Sequence, residues 1–388
     1  MSDDILSLSF ASNSTSFSSN SLISVSTPEN TPAVHEEIFS IIGIGDSIVD
    51  VVSQVETDLI MKYGLKLGDS IFASEDSKEK NIELFNILES MPSVDYVPGG
   101  SVQNSIRVIS WQLNNNESIN RKKFKVSMLG SLGNDNYRKK IENSLLGLDV
   151  NPILQILEGD KTSRCGVGVY KKEKLFVTQL RASKRLSEEF IEKHLDEILD
   201  HQAFLIEGYL LQSKFDIVKK LCNEFYKDNK LIILTLSAKF IVKCHYEKII
   251  EMGNKADIIA GSMEEATELA GNKGDNNQEI FSNIFKKLSP KENRILVFTD
   301  GANGAFYAKY DYKNDKIDVI NQVFPPSIKD EEIRDLNGAG DAFLGGFISE
   351  YMTGKSIYDC CKNGNKAASI ILKNVGCTFP KKIKDEKK

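Results

Sequence analysis

The chain has 388 residues, a net charge of −6 and a hydrophobic fraction of 41%. That length allows one large domain or two unequal ones, and the apolar fraction is that of a globular protein. The charge offers no global basic field for nucleic acid or a membrane surface, and no apolar run is long enough to span a bilayer.

Residues 1–37 are rich in Ser, Thr and Asn and contain no Lys or Arg. A secretory signal needs a positive n-region and a compact apolar core, and a mitochondrial transit peptide needs arginines; neither is present. Disorder is expected, because so little apolar surface cannot offset the ordering entropy. The run 381–388 is charged and reads as a solvated end. The six cysteines form no Cys-x-x-Cys pair, so a reduced, cytoplasmic protein with buried thiols is expected. The four histidines show no metal-ligand spacing.

The folded region is expected from residue 38. Ile38, Phe39, Ile41 and Ile42 read as a buried strand ending in Gly43-Ile44-Gly45-Asp46. Asp46 and Asp50 are acceptors spaced to converge on one diol if the turn bends, although aspartates also simply form turns. The stretches 49–72 and 94–98 interrupt the first strand–helix unit. Gly99-Gly100-Ser101-Val102-Gln103-Asn104-Ser105 then joins a strand to a helix. A Gly-Gly turn admits a ligand to the backbone, and Ser101 and Asn104 can bond sugar hydroxyls. Ser101 could equally be a helix cap. Residues 162–180 alternate as a hairpin about Lys171-Lys172-Glu173-Lys174, and such an insertion reads as a lid or a plain surface ribbon.

From residue 203 strands and helices alternate. Strands are expected over 203–211, 231–236, 257–260 and 295–299, and helices over 214–226, 263–270 and 278–288. This order indicates a mainly parallel sheet with helices on both faces and a ligand cleft at the carboxyl ends of the strands. Next comes Asp335-Leu336-Asn337-Gly338-Ala339-Gly340-Asp341, followed by Phe343, Leu344, Phe347, Ile348 and Tyr351 at helical spacing. Two glycines at a helix start remove side chains that would keep an anion from the free amides. Asp341 stands beside that nest, and a carboxylate base next to an anion hole suits phosphoryl transfer to a hydroxyl. The run lacks both the Lys-Ser/Thr of a P-loop and the third glycine of a dinucleotide fold.

The full run resembles the C-terminal signature of the ribokinase-like (PfkB) family of carbohydrate and nucleoside kinases. Gly99–Ile106 with Trp111, Leu236-Ser237-Ala238 with Phe240, and Gly376-Cys377-Thr378-Phe379-Pro380 narrow the resemblance to its adenosine kinase branch, over nearly all of 38–380. The resemblance implies a doubly wound, mainly parallel sheet and a small discontinuous β-rich lid (about 49–72, 94–98 and 162–180). It implies transfer of the ATP γ-phosphoryl group to the adenosine 5′-hydroxyl. Asp341 would be the base, with Gly338, Ala339 and Gly340 as the anion hole. Asp46, Asp50, Gly100, Ser101 and Asn104 would hold the ribose. Ile48, Phe72, Phe176, Leu180 and Tyr209 would enclose the adenine. Thr299, Gly301, Asn337 and Asn365 would serve ATP. Mg²⁺ is implied, held through water by Glu265, and K⁺ often helps order the anion hole in this family. Adenosine and ATP are the implied partners, and a monomer is expected.

Four positions depart from the branch. Ser262 stands where its Asn-x-x-Glu motif has Asn, while Glu265 is kept. Asp46 replaces an Asn, and Leu336 a Thr. Lys174 stands for a lid arginine that meets the γ-phosphate, a role Arg181 or Arg185 could take. Two alternatives stay open: a related kinase for another nucleoside or a sugar, and a catalytically silent nucleoside-binding protein.

Overall fold

The computed structural model describes residues 39–380, apart from 66–69, 74–77, 118–119, 171–172, 273 and 275. The expected extension over 1–37, the charge run over 381–388 and the tip of the 162–180 hairpin lie outside the described residues.

In chain order the strands are β1 (Phe39–Ile44), β2 (Ile48–Gln54), β3 (Ser70–Phe72), β4 (Val94–Gly99), β5 (Phe124–Gly133), β6 (Asn151–Leu157) and β7 (Ser163–Tyr170). They continue as β8 (Glu173–Gln179), β9 (Ala203–Glu207), β10 (Leu231–Thr235), β11 (Ile258–Ser262), β12 (Ile295–Thr299), β13 (Ala305–Asp311) and β14 (Lys316–Val323). The main sheet has the order β14-β13-β12-β11-β10-β9-β1-β5-β6. It is parallel from β12 to β6, and β13 and β14 add an antiparallel edge.

Its central strands are apolar at most positions because both faces are covered, with Glu207 and Thr235 only at the carboxyl ends of β9 and β10. Phe204 and Ile206 of β9, with Ile232 and Leu234 of β10, pack into one core layer. Their neighbours Ala203, Leu205 and Ile233 pack into the opposite layer. The helix Phe215–Lys227 closes the first layer with Ile217, Val218, Leu221, Cys222 and Phe225, the stripe expected of a helix with one buried face. The opposite layer is closed by the helices Ser101–Asn115 and Ala339–Tyr351.

The strand expected over 203–211 is shorter. β9 stops at Glu207, and Leu210–Ser213 forms one helical turn, so the second half of that apolar run is core helix rather than strand. A short apolar run does not distinguish the two by periodicity.

A second sheet has the order β3-β8-β7-β2-β4. Its strands fall in the three stretches that interrupt the α/β repeat. Leu84, Phe85 and Leu88 of the helix Glu79–Glu89 pack on one face. The other face carries Ile48, Cys165 and Phe176 and faces the cleft.

Candidate active site

The cleft lies where the main sheet passes the chain to the second sheet. β1 ends at Ile44 and β2 begins at Ile48, so Gly45-Asp46-Ser47 bridges the two at the carboxyl end of β1. β4 returns the chain to the same place, pairing Gly99 with Ile48. Gly100 then turns into the helix Ser101–Asn115 with φ at 95°, and a Cβ there would collide with the Asp46 carbonyl oxygen. The helix Ala339–Tyr351 lies alongside: Ser105 Oγ donates to the Asp341 carbonyl oxygen at 3.1 Å. Two helix N-termini therefore meet at one place.

Asp341 sits in the first turn of the second of these helices. Its Oδ1 accepts from Ser101 Oγ at 2.7 Å, and its Oδ2 accepts from Asn104 Nδ2 at 2.9 Å. Burial pushes its carboxyl up to about 6, against the lowering effect of those two donors. Gly338 caps the helix in the left-handed region, φ 77°, where a Cβ would lie 2.9 Å from that of Cys377. Nothing stands within 4 Å of a Cβ placed on Gly340. The first amides of a helix lack internal acceptors and sit at its positive end, so this open cradle fits a phosphoryl group.

Asp50, on β2, accepts from Asn337 Nδ2 at 3.1 Å. Burial pushes its carboxyl up to about 7, with the charge of Asp341 adding and those of Lys174 and Arg107 opposing. Both carboxylates line one cavity of about 600 Å³. Asp46, Gly100, Ser101, Asn104, Asn337, Gly338 and Gly340 line it as well, and Ile48, Phe72, Phe176, Leu180 and Tyr209 supply its apolar wall. Fifteen of the twenty residues singled out from sequence thus meet in one place.

Ala339, Lys174, Thr299, Gly301 and Asn365 are not among the lining residues. Lys174 is buried in an ion pair with Asp335, whose carboxylate also accepts from the amides of Asn337 at 2.6 Å and Gly376 at 2.8 Å. Thr299 ends β12 and donates to the Gly261 carbonyl at 3.4 Å; Gly301 opens the turn that follows. Asn365 is buried and donates to the Val323 carbonyl at 2.8 Å. It ties the helix Ile357–Ile371 to β14, beside a second cavity of about 620 Å³ lined by Phe324, Pro325, Lys362 and Lys366.

Glu265 lines the main cavity but is already engaged. It forms a capping box with Ser262, each accepting from the other's backbone amide, at 3.1 and 3.2 Å. Burial pushes its carboxyl up to about 7. Among the described residues no group of three or more His, Cys, Asp or Glu side chains is arranged to hold a metal. A divalent ion here would need phosphate oxygens to complete its shell, and Glu265 is one of the acids lining the cavity that could contribute to it.

Glu207 was missed by sequence reasoning. It ends β9, lines the cavity and accepts from the Val102 amide at 3.1 Å, so it caps the helix that carries Ser101 and Asn104. Burial first and Asp46 second push its carboxyl well up. Burial likewise pushes Asp46 up to about 6, and its Oδ1 has no hydrogen-bond partner. The available signal was one acid closing the apolar run Ala203–Glu207, at the strand end where such folds bind ligands. Ser237 was noted only as part of a resemblance. It lines the cavity with φ at 70°, and its Oγ accepts from the Gly208 amide at 2.9 Å.

Comparison with known proteins agrees with this geometry. Adenosine kinase 2 of Arabidopsis thaliana is 28% identical over 351 residues, covering 88% of this chain and 96% of its own. The adenosine kinase of Dictyostelium discoideum is 28% identical over 342 residues, covering 87% and 95%. The structure of Schistosoma mansoni adenosine kinase in complex with 2-fluoroadenosine superposes with a TM-score of 0.77 at 25% identity, covering 88% of this chain and 97% of that one. That of Anopheles gambiae adenosine kinase with P1,P4-di(adenosine-5) tetraphosphate gives 0.76 at 26%, covering 88% and 98%. The fold thus has counterparts over 88% of this chain. Residues 57–384 match the pfkB family carbohydrate kinase, and the chain belongs to that family of ATP-dependent kinases.

Proposed function

We propose that the chain is an adenosine kinase, moving the γ-phosphoryl group of ATP to the 5′-hydroxyl of adenosine to give AMP and ADP, a step of purine salvage. One observation carries this reading. The Asp341 carboxylate is held by Ser101 and Asn104 at a helix N-terminus, in the same cavity as Asp50.

Asp341 takes the proton of the 5′-hydroxyl. A carboxyl near 6 is mostly ionised at neutral pH and still basic enough to receive that proton as the new bond forms. Ser101 and Asn104 aim its oxygens. Asp50 accepts from ribose hydroxyls with the lone pairs that Asn337 leaves free. Phe72, Phe176 and Tyr209 cover the base. Amides of Gly338, Ala339 and Gly340 face the charge that develops on the transferred group. Mg²⁺, when bound with ATP, neutralises phosphate charge. Thr299, Gly301 and Asn365 serve the rest of ATP. Lys174 lies against Asp335 at the start of the anion turn, which supports a role in ordering that turn, the task the family often gives to K⁺. The second sheet acts as the lid, keeping water from the γ-phosphoryl group until adenosine is in place.

A monomer as the working unit is part of this reading. Six free cysteines support a reducing compartment, the cytoplasm. Among the described residues no helix is long and apolar enough to cross a membrane.

A second reading, a related kinase with another acceptor, is favoured by Asp46 and Glu207, two buried acids in the cavity wall. Initial rates with ATP and adenosine, inosine, guanosine, ribose or fructose separate the two. Adenosine should give the highest kcat/KM, and preference for a free sugar would overturn the proposal.

A further inference from the structure

Arg107 lies in the interior of the helix Ser101–Asn115, is 4% exposed and forms no ion pair among the described residues. Burying a cation outside an ion pair is costly; the Asp50 charge offsets part of that cost, and the direct contacts of the guanidinium show what it holds. Its Nη1 donates to the Pro98 carbonyl at 3.1 Å and to Asn104 Oδ1 at 3.3 Å. Its guanidinium lies over the Phe379 ring, 5.0 Å from the centroid. Phe379 in turn stacks on Trp111 at 5.2 Å, and Trp111 Nε1 donates to the Pro380 carbonyl at 3.3 Å. The end of the described chain thereby holds Arg107 in place from one side, and the approach to the Gly99-Gly100 turn holds it from the other.

Asn104 is the link to the chemistry. The two ends of an amide side chain have nearly the same shape, and only their hydrogen bonds distinguish them. With Nδ2 toward Asp341 the contact is attractive; with Oδ1 toward it, two acceptors would face each other. A guanidinium has donors and no acceptor, so Arg107 can meet only Oδ1. We propose that Arg107 is a positioning residue for Asp341, acting through Asn104: it fixes the amide so that Nδ2 is always presented to the carboxylate. The same contact spaces Asn104 from Pro98, and so sets the helix start against the turn that carries Gly100.

This inference rests on the reading of Asp341 as the base, and its test keeps the two apart. Four proteins form a cycle: the natural chain, Arg107→Met, Asn104→Ala and the double variant. Arg107→Met should lower kcat about tenfold while the nucleoside KM moves less than about threefold, the pattern of a lost transition-state contact. On the Asn104→Ala background the same change should alter kcat less than about twofold, because the residue it acts through is gone. Equal losses on both backgrounds, or none on either, would overturn the proposal. If Arg107→Met does not fold, Arg107→Lys and Arg107→Gln decide it. Lys, a donor only, should keep kcat within about threefold, and Gln, which can also accept, should lose more. A Lys variant as poor as Gln overturns the proposal. Asp341→Asn is run alongside: near-normal turnover there would remove the base assignment, whatever the Arg107 cycle shows.

Discussion

Asn337 Nδ2 donates to Asp50 Oδ2 at 3.1 Å, so the residue leading into the anion-binding turn is anchored on a strand of the second sheet. On the proposed reading, the nucleoside side and the phosphate side of the cavity therefore share a hydrogen bond. Asp50→Ala should raise the adenosine KM by roughly tenfold to a hundredfold, the range for a lost bond to a charged group. It should also raise the ATP KM several-fold, on the order of a neutral hydrogen bond, because Asn337 loses its anchor. Initial rates with both substrates varied measure the two effects together. An unchanged ATP KM would show that the shared bond transmits nothing.

Asp341→Asn removes the proposed proton acceptor and keeps the shape that Ser101 and Asn104 enclose. It should lower kcat by about 10²- to 10⁴-fold, the usual contribution of a positioned base. Adenosine binding, measured by calorimetry, should stay within a few-fold of the natural protein. Loss of binding in parallel with kcat would make Asp341 a sugar ligand instead.

The parts of this site that rest on local chain chemistry were legible in the sequence. Gly338 and Gly340 at the start of an apolar helix announce an open helix N-terminus, and Gly99-Gly100 announces a tight turn into a helix. Alternation of strand and helix from residue 203 onward announces the layered sheet. What could not be read depends on distant partners. Nothing near Glu207 in sequence shows that it will meet the Val102 amide, 105 positions away. Nothing near Lys174 shows that Asp335, 161 positions on, will hold it. Arg107 reads as an ordinary helix residue until the fold brings Phe379 over it. The end of β9 was misread for a different reason: Leu210 and Leu211 are buried whether helix or strand, so burial alone did not choose between them.

The raised carboxyls make activity and stability respond to pH in opposite directions. The proposed base Asp341 would work when ionised, so activity should be lost as pH falls through about 6. For stability the sign reverses. A carboxyl whose value is higher in the folded protein than in the unfolded chain binds its proton more tightly when folded. Its stabilising contribution is complete below the ordinary carboxylate range and is lost as pH rises through about 6 for Asp341 and about 7 for Asp50. Asp341→Asn, which cannot ionise, should therefore stabilise the protein more at about pH 8 than at about pH 5.5, by about 1 kcal/mol. Urea unfolding at the two pH values measures this, and an equal effect at both would show that the carboxyl is not raised.

The buried pair of Lys174 and Asp335 ties β8 of the second sheet to the segment that opens the anion turn. Asp335 is the stronger hub, since it also accepts from the Asn337 and Gly376 amides. Removing the ammonium alone leaves a carboxylate buried without a counter-charge, so Lys174→Met should destabilise the protein by about 3–5 kcal/mol. Asp335→Asn on the Lys174→Met background removes that charge while keeping an acceptor for the amides, and should recover a large part of the loss. Stability and turnover should then separate. The double variant regains its unfolding midpoint, but kcat stays low because no cation orders the turn before Gly338. Recovery of both together would mean that the pair serves folding alone, whereas failure to recover stability would show that Lys174 and Asp335 do not act as a pair.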